Sequence, residues 1–427
     1  MVKVGFAGLS HLGLVSGICA ASKGVHVVCY DSNSDLIASL RRSSLPVFEP
    51  DLDALLGKSI QQILFSDNLA NLGSCEIVYI SLDVKTDNQN VSDLSGLEKL
   101  ILDVAKLMKS GATLVVLSQV PPGFTRRIAG LLGKVSFHLI YQVETLIFGR
   151  AVERALLPER YIIGTTDSKL PLPPNYKQFL ETYGCPLLVM KYESAELAKI
   201  SINLFLSASV STTNSIAELC EKIGADWNEI VPSLKLDKRI GPHAYLAPGL
   251  GISGGNIERD LETFASIANA HGTDADVIKS YSSNSRYRKN WVLRTLQKEV
   301  LGKNPQAQIA MWGIAYKQET KSIKNSPAIA LLEGLEGVSM KAYDPQAELP
   351  IGRFPNVKQM PTAVESCIGS QALVVMTPWP EFSKVDLRKV KQALGALVVI
   401  DPLGLLDQDQ CAELGFTYFK LGQKGSN

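Results

Sequence analysis

VKVGFAGLSHLGLVSGICAASKGVHVVCYD, residues 2–31, decides the fold. VKVGFAG (2–8) is a short apolar run closed by glycine, the pattern of a buried strand, and VHVVCYD (25–31) is a second one. LGLVSGICAASKG between them predicts a helix that closes at Gly24. Strand, helix and strand form one βαβ unit, and GLSHLG (8–13) lies where the first strand turns into the helix. Gly8 suits the tight turn and Gly13 lets the helix pack close. Asp31, ending the second strand, can bond a ribose 2′-hydroxyl, which favours NAD over NADP. Ser10, His11 and Leu12 complete the turn that a dinucleotide would face. Ser10 holds the middle position, where glycine is usual because backbone must approach the diphosphate. Its Cβ and hydroxyl are either tolerated there or weaken and re-aim the cofactor. The same glycines also serve plain strand–helix packing.

Further strand-like runs, EIVYISL (76–82), TLVVLS (113–118) and FHLIYQ (137–142), alternate with helical patterns, which implies a parallel sheet with right-handed crossovers. This first domain is expected over residues 1–190. Residues 193–224 then show helical periodicity without proline and end on Gly224, as expected of a helix that spans domains or builds a dimer interface. The central region, 191–302, continues through the glycine-rich GLGISGGNIERD (249–260) into helical pattern from about 259 to the break at GKNP. From 303 to 427 the alternation resumes, with AQIAMWGIAY (307–316), a helix introduced by Ser326 and Pro327, VSMKAYDP (338–345), ALVVMTP (372–378) and ALVVIDP (396–402). The expected class is α/β, with two Rossmann-like doubly wound domains joined by a long central helix.

Composition narrows the function. The 427 residues carry a net charge of +1, from 43 basic and 42 acidic side chains, so the chain has no electrostatic footprint for nucleic acid or an anionic membrane. Seven scattered cysteines, an odd number with no C-x-x-C pair, suit free thiols in a reducing cytoplasm and give no metal site. No apolar run reaches membrane-spanning length, and a soluble protein with a small neutral or phosphorylated ligand is expected.

In order and spacing, several stretches together resemble the nucleotide-sugar dehydrogenases typified by UDP-glucose 6-dehydrogenase and GDP-mannose dehydrogenase, across essentially the whole chain. They are GLSHLGLV, FEPDLDALL (48–56), SQVPPG (118–123), VETLIFGRAV (143–152) with PERYIIG, ESAELAKISIN, RIGPHAYLAPGLGISGGNIERD (239–260), GIAYK with NSPA (325–328), and YDP (343–345). The resemblance implies a homodimer built on the long helix, NAD as cofactor, and a nucleotide sugar, most often a UDP-sugar, as substrate. It implies that Lys199, Asn203 and Asp260 hold a water and the sugar's C6 oxygen during a first hydride transfer. A spacing of four puts Lys199 and Asn203 on one helix face, where ammonium and amide can polarise one oxygen. It further makes Glu144 an acid–base group, puts Gln119 at the family's threonine near the water, and places Leu146, Arg239, Tyr245 and Lys317 against the substrate. Gly249, Gly251, Gly254 and Gly255 would let backbone amides approach the sugar.

Departures from the family pattern concentrate where the second oxidation takes place. The cysteine that forms the thiohemiacetal and thioester corresponds to Asn256, and an amide is not a nucleophile near neutral pH. The second glutamate of the family's N-P-E-F-L-x-E-G stretch corresponds to Phe148, its N-P to Gln142 and Val143, and a loop lysine to Arg259. Paired aspartates before an arginine become Lys321, Ser322 and Lys324, and the turn under the cofactor reads LDVK (82–85). Three readings follow. The chain oxidises a nucleotide sugar by two electrons only; or it returns the hydride and acts as a redox-neutral epimerase; or it binds nucleotide sugar and NAD without catalysis.

Overall fold

Short runs of branched apolar residues set the strands of the computed structural model, which describes residues 2–84, 92–252 and 256–425. The first sheet contains β1 (Lys3–Ala7), β2 (His26–Tyr30), β3 (Ile63–Ser66), β4 (Ile77–Ile80), β5 (Thr113–Val116), β6 (His138–Gln142), β7 (Tyr161–Thr165) and β8 (Leu187–Lys191). Its order is β3-β2-β1-β4-β5-β6-β7-β8, the doubly wound pattern with its reversal between β1 and β4. All pairs are parallel except β6 and β7, where Tyr141 faces Gly164 and Gln142 faces Ile163. The expectation of a wholly parallel sheet is corrected at that pair.

The second sheet contains β9 (Ile309–Trp312), β10 (Met340–Tyr343), β11 (Val357–Gln359), β12 (Ala372–Val375), β13 (Val398–Ile400) and β14 (Thr417–Phe419), in the order β11-β10-β9-β12-β13-β14. Central strands β4, β5, β9 and β12 are buried at every residue, as expected where helices cover both faces of a parallel sheet. The helix after β9 starts where Ser326 accepts from the Ala328 N–H and Pro327 takes the first turn, as its sequence predicts.

One device is built twice. Gly8 N–H donates to Tyr30 O at 2.9 Å, and Leu9 and Asn33 N–H donate to the two Asp31 carboxylate oxygens at 2.8 and 2.9 Å. In the second sheet Gly313 N–H donates to Tyr343 O at 2.7 Å, and Ile314 and Gln346 N–H reach the two Asp344 oxygens at 2.7 and 2.9 Å. Asp344 also accepts from Ala315, Ala347 and the Trp379 indole, and is 6% exposed. Its carboxylate is closed into the fold, whereas Asp31 stays half-exposed.

The long helix runs over Tyr192–Ile223, 32 residues. Contacts group the chain into two compact units, Met1–Ile202 and Asn203–Asn427, divided within this helix. The helix after the glycine-rich stretch begins at Asn256 and ends at Ala270, earlier at both ends than the sequence pattern suggests. It is followed by separate helices at Asp276–Lys289 and Trp291–Leu296.

Candidate active site

The cofactor turn is shaped by sterics. Gly8 has φ +91°, and a Cβ on Gly13 would stand 2.1 Å from Gly8 O, so the helix His11–Ser22 can approach β1 only with glycine there. Ser10 precedes this helix but its side chain does not cap it; the hydroxyl turns inward and donates to Ser81 O at 2.9 Å. The first helical N–H groups are thereby left without a side-chain cap, beside the half-exposed Asp31 carboxylate. That combination fits a dinucleotide: amides and a helix N-terminus for its diphosphate, and a carboxylate for its ribose.

Leu12 is buried in the core, so only its backbone faces the turn. His11 also points inward, with Nε2 2.7 Å from Glu49 Oε1 and its ring 4.2 Å from that of Phe148. Glu49, 2% exposed, also accepts from Gly149 N–H at 2.9 Å and Ala151 N–H at 3.2 Å. One buried carboxylate thus ties the cofactor turn to the segment after Glu144. FEPDLDALL holds three acids, and only burial distinguishes Glu49 from the exposed Asp51 and Asp53.

Glu144 follows β6. Its Oε2 accepts the Leu146 N–H at 2.7 Å, and Lys199 Nζ lies 3.0 Å from its carbonyl and 3.4 Å from Oε1. Gln142 anchors the strand end, its Oε1 taking the Tyr176 hydroxyl at 2.6 Å and that of Tyr79 at 3.3 Å. Gln119 is half-buried on the segment leading to Gly123. Glu196, a second residue missed by the sequence reading, accepts Gly123 N–H at 2.6 Å and Thr125 N–H at 2.8 Å, binding that segment to the long helix. Burial pushes the Glu196 carboxyl above the usual range.

Asn203 stands one helical turn beyond Lys199. Its Nδ2 donates to Asp260 Oδ2 at 2.6 Å, and Arg259 Nε lies 3.7 Å from Asp260 Oδ1. Asp260 is 2% exposed. Lys199 thus bonds to Glu144 and Asn203 to Asp260. Asn256, expected in a loop, is instead the exposed first residue of the helix that carries Asp260 one turn later.

The preceding loop is sewn to its own unit. Tyr245 O accepts from Ser209 and Thr213 at 3.0 Å each, Gly249 N–H donates to Asn214 at 2.8 Å, and a Cβ on Gly251 would meet Ser285 O at 2.5 Å. The Tyr245 side chain is 49% exposed. Arg239 lies on an exposed turn with its guanidinium on Asp237 at 2.6 Å, away from the Asn203–Asp260 pair in its bonding. Lys317 is half-buried, its Nζ 5.8 Å from the Tyr316 ring centroid. Gly254 and Gly255 lie outside the described residues, as does the end of LDVK.

Burial pushes up all seven thiols, Cys367 and Cys411 to about 12, and none lies in the 249–260 stretch. Among the described residues no group of three or more His, Cys, Asp or Glu could hold a metal ion, and no helix is long and apolar enough to cross a membrane.

The chain is 28% identical over 449 residues to the UDP-glucose 6-dehydrogenase of Rickettsia bellii, covering 99% of this chain and 100% of that protein. It is 28% identical over 438 residues to a UDP-glucose 6-dehydrogenase of Bacillus subtilis, covering 99% and 94%. Among solved structures, a UDP-glucose dehydrogenase of Pyrobaculum islandicum aligns with a TM-score of 0.85 at 25% identity over 99% of this chain and 98% of that one. A UDP-D-ManNAc dehydrogenase of Pyrococcus horikoshii, at 24% identity and TM-score 0.85 over 99% of both chains, has the same fold. Residues 2–176 match the NAD binding domain of the UDP-glucose/GDP-mannose dehydrogenase family, which makes NAD the cofactor of the turn at Gly8–Gly13. The family's central domain matches 193–286 and its UDP binding domain 310–408. From its first strand to its second sheet, the chain belongs to the UDP-glucose/GDP-mannose dehydrogenase family.

Proposed function

We propose that this chain oxidises the alcohol of a nucleotide sugar, a UDP-sugar first, by two electrons and stops there. The observation that carries the reading is the Asn203–Asp260 pair with Asn256, and no thiol, one turn earlier on the Asp260 helix. NAD supplies the hydride acceptor. Asn203 and Asp260 hold the sugar oxygen and a water, Lys199 stabilises negative charge developing on oxygen, and Glu144 takes up the alcohol proton. A second two-electron step by the covalent route needs a sulfur nucleophile on the aldehyde, and the amide of Asn256 forms neither thiohemiacetal nor thioester.

Supporting details lie on both sides of that step. Phe148, at the position of a family glutamate, packs on His11 instead of presenting a carboxylate. The long helix exposes Phe205, Ile216, Leu219 and Ile223, an apolar stripe suited to a homodimer. A division into three segments near residues 190 and 302 belongs to the same reading.

The test is the yield of NADH per sugar, measured at 340 nm with a panel of UDP- and GDP-sugars and a carbonyl trap such as hydroxylamine. One NADH per sugar with a trapped carbonyl is expected. Two NADH and a carboxylate would sink the two-electron limit. An altered sugar with no net NADH supports the epimerase, in which the Glu144–Lys199 pair serves proton transfer at carbon; binding with neither change leaves the noncatalytic reading.

A further inference from the structure

A groove of about 840 Å³ opens in the Asn203–Asn427 unit, between the end of the long helix, residues 287–299 and residues 419–425. Its size is that of a small-molecule site, and neither the cofactor nor the substrate reading uses any of its residues. Five cations line it: Lys222, Arg294, Lys298, Lys420 and Lys424.

The three carboxylates beside them are already committed. Glu218 accepts the Tyr287 hydroxyl at 2.8 Å and pairs with Arg294 at 3.4 Å. Glu221 accepts the Trp291 indole at 2.9 Å and Gly422 N–H at 3.1 Å. Glu299 is held by Lys298 at 2.8 Å and Lys303 at 3.3 Å. Behind the first two lies Arg288, fully buried, in charge contact with Glu218 at 2.9 Å and Glu221 at 3.8 Å but without hydrogen-bond alignment.

Lys222, Lys420 and Lys424 form no ion pair among the described residues. Against a net charge of +1 for the whole chain, this is a local positive excess. Three unpaired ammonium groups from two segments, the long helix and residues 419–425, match several phosphate charges better than one. The Tyr287 ring, 49% exposed with the Arg294 guanidinium 3.9 Å from its centroid, adds a flat surface at the rim. By helical spacing, the groove side of the long helix is turned away from the Phe205–Ile223 apolar stripe.

We propose that this groove binds the phosphate chain of a small polyphosphorylated molecule, with Lys222, Lys420 and Lys424 as its charge partners. The test uses the full chain with NAD and UDP present at saturation, so that both family sites are filled. Tripolyphosphate and a nucleoside triphosphate are titrated by calorimetry. One saturable site per chain is expected, weakened about tenfold or more in the double variant K420A/K424A by loss of two charge-assisted contacts. Lys222→Ala, on a different element, tests the same site if the double variant fails to fold, and a several-fold loss is expected. Equal affinity for the two probes assigns recognition to the phosphate chain alone; tighter binding of the nucleotide adds stacking on Tyr287. Absence of saturable binding by either probe, or variants that bind as tightly as the parent, overturns the proposal.

Discussion

Asn203 donates through Nδ2 to Asp260 Oδ2 at 2.6 Å, and the acceptor is 2% exposed. A carboxylate so deeply placed depends on its donors, and removing one leaves part of its charge unsatisfied. Asn203→Ala should therefore lose about 1–3 kcal/mol of stability. Urea titration measures this, and NADH formation by the same variant should fall further than its folded fraction does. Unchanged turnover in a folded Asn203→Ala protein would remove the pair from the chemistry.

Asn256 begins the helix that carries Asp260 one turn later. A thiol in that first turn would feel the positive end of the helix dipole, which favours thiolate. Asn256→Cys, incubated with NAD and its sugar substrate, should accumulate a covalent sugar adduct visible by intact-mass spectrometry. A second NADH per sugar would also appear if the rest of the thioester machinery persists. An Asn256→Cys protein that oxidises sugar yet never becomes labelled would mean that position 256 is remote from the carbonyl.

Gly13 and Ser10 should respond oppositely to substitution. Gly13→Ala drives a methyl to 2.1 Å from Gly8 O, so the turn must shift; a loss of about 1–3 kcal/mol and of measurable NAD binding is expected. Ser10→Gly removes only a hydroxyl turned onto Ser81 O and a Cβ facing the turn. It should cost roughly 1 kcal/mol of stability while keeping or tightening NAD affinity. Thermal melts with and without NAD separate the two effects; weaker NAD binding by Ser10→Gly contradicts this account.

Glu49 holds His11 on one side and the Gly149 and Ala151 amides on the other. Glu49→Gln keeps the shape but replaces an acceptor oxygen with an amide nitrogen, at a cost of about 1–3 kcal/mol. A several-fold rise in the NAD dissociation constant should accompany it, because the turn loses its anchor. Fluorescence titration with NADH reads that constant directly, and an unaltered value would confine Glu49 to packing.

The strands that escaped the sequence reading have a common cause. β3, β8, β11 and β14 are the edge strands of the two sheets and only partly buried, and β7 pairs antiparallel to β6, so full burial does not mark the first four and the βαβ rhythm does not mark β7. Central strands, covered on both faces, need apolar side chains at every position and so remain readable. The long helix was equally legible, as periodicity without a break ends at Gly224.

Local chemistry, then, was written in the sequence. The βαβ unit, Gly8 and Gly13, Asp31 at the strand end and the identity of Asn256 depend only on neighbours along the chain or on position within a motif. Which side chains share a proton or a charge was decided by tertiary structure. Asp31 and Asp344 end similar strands, yet only the fold closes five further residues' donors around Asp344 and leaves Asp31 half-exposed. Lys199 and Asn203 share a helix face by spacing, but folding gives one to Glu144 and the other to Asp260. Helical period fixes direction from an axis; the partner waiting there comes from chain segments 55 and 57 residues away, which no local pattern encodes.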